Sequence, residues 1–196
     1  MAEPSSSDPI SAIFAPAHPL ARRLYETVGK GRTVAVVGDG SGRNSRALTA
    51  AGLTVVAVED EKPYTQLPFA ARELDGALST HAYLHGTAAK IRSGIAELAR
   101  VLRPEAPAFL TFGSIQDVRY GFGDQLDAHT FAPGEGAEIG VPHAYFDRDA
   151  LLDVLRPLEI VCAEEVAVDA IVGKWAHLSD EPPGKVHWFV EVRKGR

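Results

Sequence analysis

Residues 33–59 read TVAVVGDGSGRNSRALTAAGLTVVAVE, and the order of residue types in that stretch decides the fold. Thr33 to Val37 is an unbroken apolar run rich in valine, the pattern of a parallel strand buried on both faces. Gly38, Gly40 and Gly42 follow at alternate positions. A helical pattern then runs from Asn44 to Ala51, with Gly52 at its C-cap. A second valine-rich run, Thr54 to Val58, ends in the acidic pair Glu59 and Asp60.

The physics of strand, glycine loop, helix, strand and carboxylate is specific. Glycines lacking Cβ let the backbone turn sharply and approach a ligand, while the helix behind offers free N–H groups. A carboxylate at the end of the next strand is placed to accept hydrogen bonds from a ribose diol. The unit therefore reads as a nucleoside-binding βαβ. A dinucleotide fingerprint requires G-x-G-x-x-G, but here the third glycine comes one residue early and Arg43 stands where the last should be. No Gly-Lys-Ser/Thr follows either, so a phosphate cradle is the weaker reading.

The motif G-D-G-S-G, followed by Arg43, Asn44 and Ser45, resembles the glycine loop of class I S-adenosylmethionine-dependent methyltransferases, in particular the small TehB-like and ubiquinone-biosynthesis-type members. The resemblance continues in order along the chain. Leu74 to Ser79 (LDGALS) is similar to the family's fourth strand, Ile95 to Pro104 (IAELARVLRP) to the helix and turn before its fifth, and Ala108 to Phe112 to that strand. Glu159 to Ala167 and Val186 to Val192 resemble the closing antiparallel pair.

What the resemblance implies is an α/β, three-layer Rossmann-like methyltransferase fold, with a mostly parallel sheet and a C-terminal antiparallel hairpin. It implies one domain over residues 17–196 behind a flexible arm over 1–16. The implied cofactor is S-adenosylmethionine. Gly38, Gly40 and Gly42 are expected at its amino-acid end, Glu59 on the ribose, and Ser79, Thr80 and His81 beside the sulfonium, with Asp39, Asn44 and Asp60 also in the cofactor shell.

Three departures qualify the match. Residues 60–73 are too few for a helix, a third strand and their loops, and Pro63 and Pro68 oppose a regular helix. The helix and third strand of the family are thus expected to be missing, and with them the acidic residue that binds the adenine amino group. Asp60 or Glu61 stands nearest to replace it. The other departures are Val36, where the family has an acidic residue, and Pro104-Glu105-Ala106, where it has Pro-Gly-Gly. Loss of the third strand makes the second an edge, which calls for cover or a homodimer contact.

Three histidines are the candidate chemical groups. His81 and His85 follow the fourth-strand candidate at its carboxyl end, where open α/β sheets bind ligands. Thr87 is a plausible N-cap for a helix that carries Ile91, Ile95, Leu98 and Leu102 on one face, which leaves both histidines in the loop before it. They read as cofactor or substrate contacts, as solvated loop residues, or as a metal pair with His143. The last reading has the least support because their spacing lies off a helix, and no metal is assigned. Residues 113–145 form a long aromatic-bearing connection, read as a substrate-covering insert. In it Gly140-Val141-Pro142-His143 resembles the family's Val-Pro-His motif, which points His143 at the substrate pocket; a locally packed His143 is the competing reading.

Pro19 to Val28 reads as an amphipathic helix, either a lid over the cofactor entrance or cover for the sheet edge. Asp147 caps a short helix to Leu155, Trp188 reads as core, and Trp175 with His177 falls in the loop before the last strand. Cys162 lies in an apolar strand pattern and reads as a buried structural thiol; as the single cysteine it excludes an intrachain disulfide. The formal net charge of −6 argues against a phosphate-backbone partner and for a small molecule. No apolar run reaches the roughly 18 residues of a membrane span, and the acidic, proline-rich start lacks a signal peptide's basic region, so a cytoplasmic protein is expected. The expected reaction is in-line displacement at the sulfonium methyl, which depends mainly on positioning. His143 or His85 would remove a proton if the acceptor is a hydroxyl. The alternative is a methyltransferase-like domain without turnover that serves as a binding or assembly module.

Overall fold

The structure, a computed structural model, describes residues 9–59, 63–136, 138–169 and 183–196. Helices α1 (Pro9–Phe14) and α2 (Pro19–Val28) precede strand β1 (Thr33–Val37), helix α3 (Arg43–Ala50) and strand β2 (Thr54–Val58). Strand β3 (Gly76–Ser79) leads through a single 3-10 turn, Ala82–Leu84, to helix α4 (Ala88–Val101) and strand β4 (Pro107–Ser114). Short strands β5 (Asp124–Gln125), β6 (Thr130–Ala132) and β7 (His143–Phe146) then lie before helix α5 (Arg148–Val154) and the long strands β8 (Glu159–Ala167) and β9 (Val186–Arg193).

β2, β1, β3 and β4 pair in parallel, in that spatial order. β9 runs antiparallel along the far side of β4, and β8 pairs antiparallel with β9. β4 extends beyond β3. Its first part pairs Ala108 to Leu110 with Ala77 to Ser79, whereas Gly113 and Ser114 take Tyr145 and Phe146 of β7 as partners. Alternate residues of β1 feed two cores, as the strand's period of two requires. Val34 and Val36 face Leu20, Leu24 and Leu48 of α2 and α3, while Ala35 and Val37 join the cluster holding Ile91, Ile95 and Leu98 of α4. Each of these leucines and isoleucines is fully buried, which stabilises the fold by about 1.5–3 kcal/mol per side chain.

The expected loss of the third strand is observed among the described residues. β2 pairs with β1 alone, and Thr54, Val56 and Ala57 on it are exposed. The short connection that replaces the missing segment is strapped onto α4. Leu67 N–H donates to Glu97 Oε1 at 2.9 Å, Arg100 donates to the Phe69 carbonyl at 2.8 Å, and the Glu97 carboxylate accepts from Arg100. Tyr64 and Leu67 are buried beneath that strap. A Cβ at Gly94 would come within 2.4 Å of the Tyr64 ring, so glycine in α4 makes room for the aromatic.

Four expectations change. Residues 9–14 are helical and Phe14 is buried, so the chain is anchored within the segment expected as an arm; residues 1–8 lie outside the described part. α2 is neither lid nor edge cover, because Leu20, Ala21 and Leu24 are buried against the sheet face. The 113–145 insert is not a loop throughout but folds back as β5, β6 and β7. Cys162 is only partly buried, since β8 is an outer strand and its register slips between Ile160 and Cys162.

Candidate functional site

Gly38, Gly40 and Gly42 adopt φ of 70°, 45° and 72°, which L side chains rarely accept, and Gly42 is the N-cap of α3. Gly38 N–H donates to the Val58 carbonyl at 2.9 Å and ties the loop to β2. Asp39 turns inward. Its two carboxylate oxygens accept from Asn44 N–H at 3.2 Å and Ser45 N–H at 2.8 Å. An anion of the chain itself thus occupies the first turn of α3, which removes the place a phosphate would take and agrees with the absent dinucleotide spacing.

Asn44, expected at the cofactor, is instead a buried brace. Its Oδ1 accepts from His18 N–H at 2.9 Å and its Nδ2 donates to Thr80 Oγ1 at 3.2 Å. It therefore joins the start of α2 to the loop after β3, and Thr80 is engaged with it. His18 is buried in the same corner, its Nδ1 accepting from Leu20 N–H at 3.1 Å. Burial first, then the charge of Arg43 and the neighbouring His187, depress its pKa to about 3.

A cavity of about 340 Å³ opens at the carboxyl end of β1 and β2, within the size range of small-ligand sites. Gly38, Glu59, Tyr64, His85, Lys90 and Val141 are among the residues that line it. Tyr64 substitutes for the missing strand in forming its wall. Its hydroxyl donates to the His85 carbonyl at 2.7 Å, burial pushes its pKa upward, and the Lys90 ammonium sits 5.0 Å from its ring centroid. Ser79, at the end of β3, has a buried hydroxyl oxygen with no hydrogen-bond partner among the described residues.

Beyond His85 lies a histidine cluster. His81 and His85 meet edge to face with ring centroids 4.4 Å apart, and His85 meets His143 at 4.7 Å with rings perpendicular. Backbone pairing sets this up. His85 and His143 form an antiparallel bridge, and Gly86 N–H donates to the Pro142 carbonyl at 2.7 Å. Glu138 stands between the imidazoles. Oε1 is 3.2 Å from His85 Nε2, and Oε2 is 3.0 Å from His143 Nε2 and 3.6 Å from an Arg119 guanidinium nitrogen. Held first by His143 and then by His85, against the opposing effect of partial burial, the Glu138 carboxyl lies well below the usual carboxylate range. His143 Nδ1 contacts the Val141 carbonyl at 2.8 Å, and because that oxygen can only accept, Nδ1 carries the hydrogen.

The structure therefore brings Gly38, Glu59 and His85 to one cavity. It places His143 behind His85, buried and held at the Val141 carbonyl, in keeping with the locally packed one of its two expected placements. Asp60, Glu61, Trp175 and His177 lie outside the described residues. The residues missed from sequence are Glu138, Tyr64 and Lys90. Glu138 lies five positions before His143 in a glycine-rich turn, a spacing with no regular period to mark it.

No family model matches the chain, and no curated protein does. Solved structures do. The chain is 18% identical to the 1,6-didemethyltoxoflavin-N1-methyltransferase of Burkholderia thailandensis, solved with bound 1,6-didemethyltoxoflavin and S-adenosylhomocysteine, with a TM-score of 0.68 over 96% of this chain and 82% of that one. It is 14% identical to an S-adenosylmethionine-dependent methyltransferase of Methanosarcina mazei, with a TM-score of 0.63 over 91% and 98%. The [4+2]-cyclase SpnF is also similar, at 17% identity and a TM-score of 0.56 over 90% and 80%. The fold is that of the class I methyltransferases.

Proposed function

We propose that this chain, with a class I methyltransferase fold, binds S-adenosylmethionine and transfers its methyl group to a small-molecule acceptor by in-line displacement. The observation that carries the reading is the cavity lined by Gly38, the first residue of the positive-φ glycine loop, together with Glu59 and His85. The cofactor supplies the electrophilic methyl. The chain's glycines approach its amino-acid end, Glu59 accepts from the ribose diol, and the free Ser79 hydroxyl serves a polar group near the sulfonium. Tyr64 and Lys90 form the adenine wall in place of the absent strand. The acceptor's proton is handled at the group formed by His85, Glu138 and His143, with His85 reaching the cavity.

An apolar acceptor is favoured by the insert. Val118, Tyr120, Phe122, Leu126 and Ile139 are exposed large apolar side chains on that one segment. The net charge of −6 supports a small molecule over a nucleic acid, and no helix among the described residues is long and apolar enough to cross a membrane. The same reading puts the protein in the cytoplasm.

Isothermal titration with S-adenosylmethionine and S-adenosylhomocysteine, with NAD as control, tests the reading. Micromolar binding of the first two, weakened roughly 10- to 100-fold by Glu59→Ala through loss of charge-assisted hydrogen bonds, is expected. A folded protein that binds neither is instead a module without turnover, a role that the β2 edge, unpaired among the described residues, also fits. We place a contact between two copies at that edge. Sedimentation of a dimer that Val56→Lys converts to monomer supports this, and a monomer at every concentration removes it.

A further inference from the structure

We propose that His81, His85 and Glu138 bind one divalent transition-metal ion at the rim of the cavity, with His143 positioning the carboxylate. One ligand atom from each of these three side chains lies within 4.8 Å of the other two. The His85 Nε2 to Glu138 Oε1 separation of 3.2 Å is already that of two donors on one ion, since ligands at about 2.0–2.1 Å in a tetrahedral shell stand roughly 3.4 Å apart. All three residues are partly exposed, and His85 lines the cavity, so an ion entering there reaches them without unfolding anything. Three protein donors leave a coordination position open towards the cavity, the arrangement of a reactive rather than a structural site.

His143 completes the arrangement from behind. Its Nδ1–H is committed to the Val141 carbonyl, which fixes the ring so that Nε2 meets Oε2 of Glu138 and leaves Oε1 turned to His85. Metal-ligating carboxylates are commonly oriented by outer contacts of this kind; here the fixed His143 ring sets the place of Oε2, and the positive charge facing that oxygen is the Arg119 guanidinium. Arg119 reaches the same Oε2 at 3.6 Å and also Asp117 at 3.5 Å, so it braces the carboxylate on the side away from His85. Two imidazoles and one carboxylate select zinc, cobalt, nickel or iron over magnesium, which demands a shell of oxygens.

The ion's existence is independent of the methyl-transfer reading, but its role rests on it. Held at the rim, the ion rather than bare His85 would meet an oxygen or nitrogen of the acceptor, and would favour acceptors that present such a donor beside an apolar body.

The test is titration of the tag-free full chain with Zn²⁺, and with Co²⁺ followed by its visible absorption, with Mg²⁺ as control and no cofactor present. One equivalent of Zn²⁺ and of Co²⁺ bound, with His85→Ala and Glu138→Gln each weakening it at least 100-fold and His143→Ala by 10- to 100-fold, is expected. Because a single variant can act through folding, thermal unfolding is followed with and without Zn²⁺. The wild type gains stability on adding Zn²⁺, and a folded Glu138→Gln does not. Absence of stoichiometric Zn²⁺ binding, equal preference for Mg²⁺, or full affinity in His81→Ala/His85→Ala overturns the proposal. Titration of the same samples with S-adenosylhomocysteine reports separately on the methyl-transfer reading.

Discussion

The glycine loop and the histidine cluster reach the same cavity, through Gly38 and His85, but are built in opposite ways. The loop is local. Residues 33–59 supply its strand, its turn, the helix cap from Asp39 and the carboxylate of Glu59, all within one βαβ unit. The histidine cluster is assembled from the turn after β3 and from the end of the insert, Glu138 to His143, more than fifty residues later, which are brought together by the His85–His143 bridge and the Gly86–Pro142 hydrogen bond. A site made by one supersecondary unit tolerates change elsewhere. A site made by two distant loops is only as accurate as the contacts that join them.

Acid should strain the junction between the two most. His18, the brace partner of Asn44, is neutral in the folded protein with a pKa of about 3, below the unfolded value of 6.5, and faces the charges of Arg43 and His187. The unfolded chain therefore binds the extra proton first. His18's contribution to stability is fully present above pH 6.5 and is lost as pH falls towards 3, at about 1.4 kcal/mol per pH unit. Denaturant unfolding across that window should show this slope, and His18→Gln should flatten it; an identical slope in the variant refutes the assignment.

Next in size is Gly86→Val. Gly86 has φ of 122°, and a Cβ there would lie 2.4 Å from the Tyr64 hydroxyl. A loss of about 3 kcal/mol by thermal unfolding is expected. Gly134→Ala, within the insert that Gly86 contacts and with nothing within 4 Å of its Cβ, should change stability by less than about 0.5 kcal/mol. Similar losses in the two would show that the insert is not held at the Gly86 contact.

These cases show what the sequence could carry. Strands β1, β2 and β8, helix α2 and the caps at Thr87 and Asp147 agree with the residue patterns, because period, proline placement and capping chemistry are local. The missing third strand was legible as well, from the shortness of residues 60–73. The wall that Tyr64 and Lys90 build in its place was not, since it depends on Gly94 making room in a helix that is distant in sequence. Asn44 misled for a related reason. Its position in the motif marks a ligand contact, but its partners, His18 and Thr80, are set by tertiary packing. Glu138 carries no periodic signal, and only the fold reveals it between two imidazoles.

Two smaller effects sharpen the contrast. Asn44→Ala removes hydrogen bonds to both sides of the brace in a buried setting and should cost about 2 kcal/mol, with Thr80 released. Asp39→Ala removes only the local cap of α3 and should cost about 1 kcal/mol. Denaturant midpoints for both variants check the order; a larger loss from Asp39 would place the weak point inside the loop rather than at its junction.

The most direct test of the account is a crystal structure with S-adenosylhomocysteine. The account predicts the amino-acid end over Gly38 to Gly42, the ribose diol on Glu59 and the adenine against the wall made by Tyr64 and Lys90. A ligand bound elsewhere, or a ribose that leaves Glu59 untouched, would contradict it.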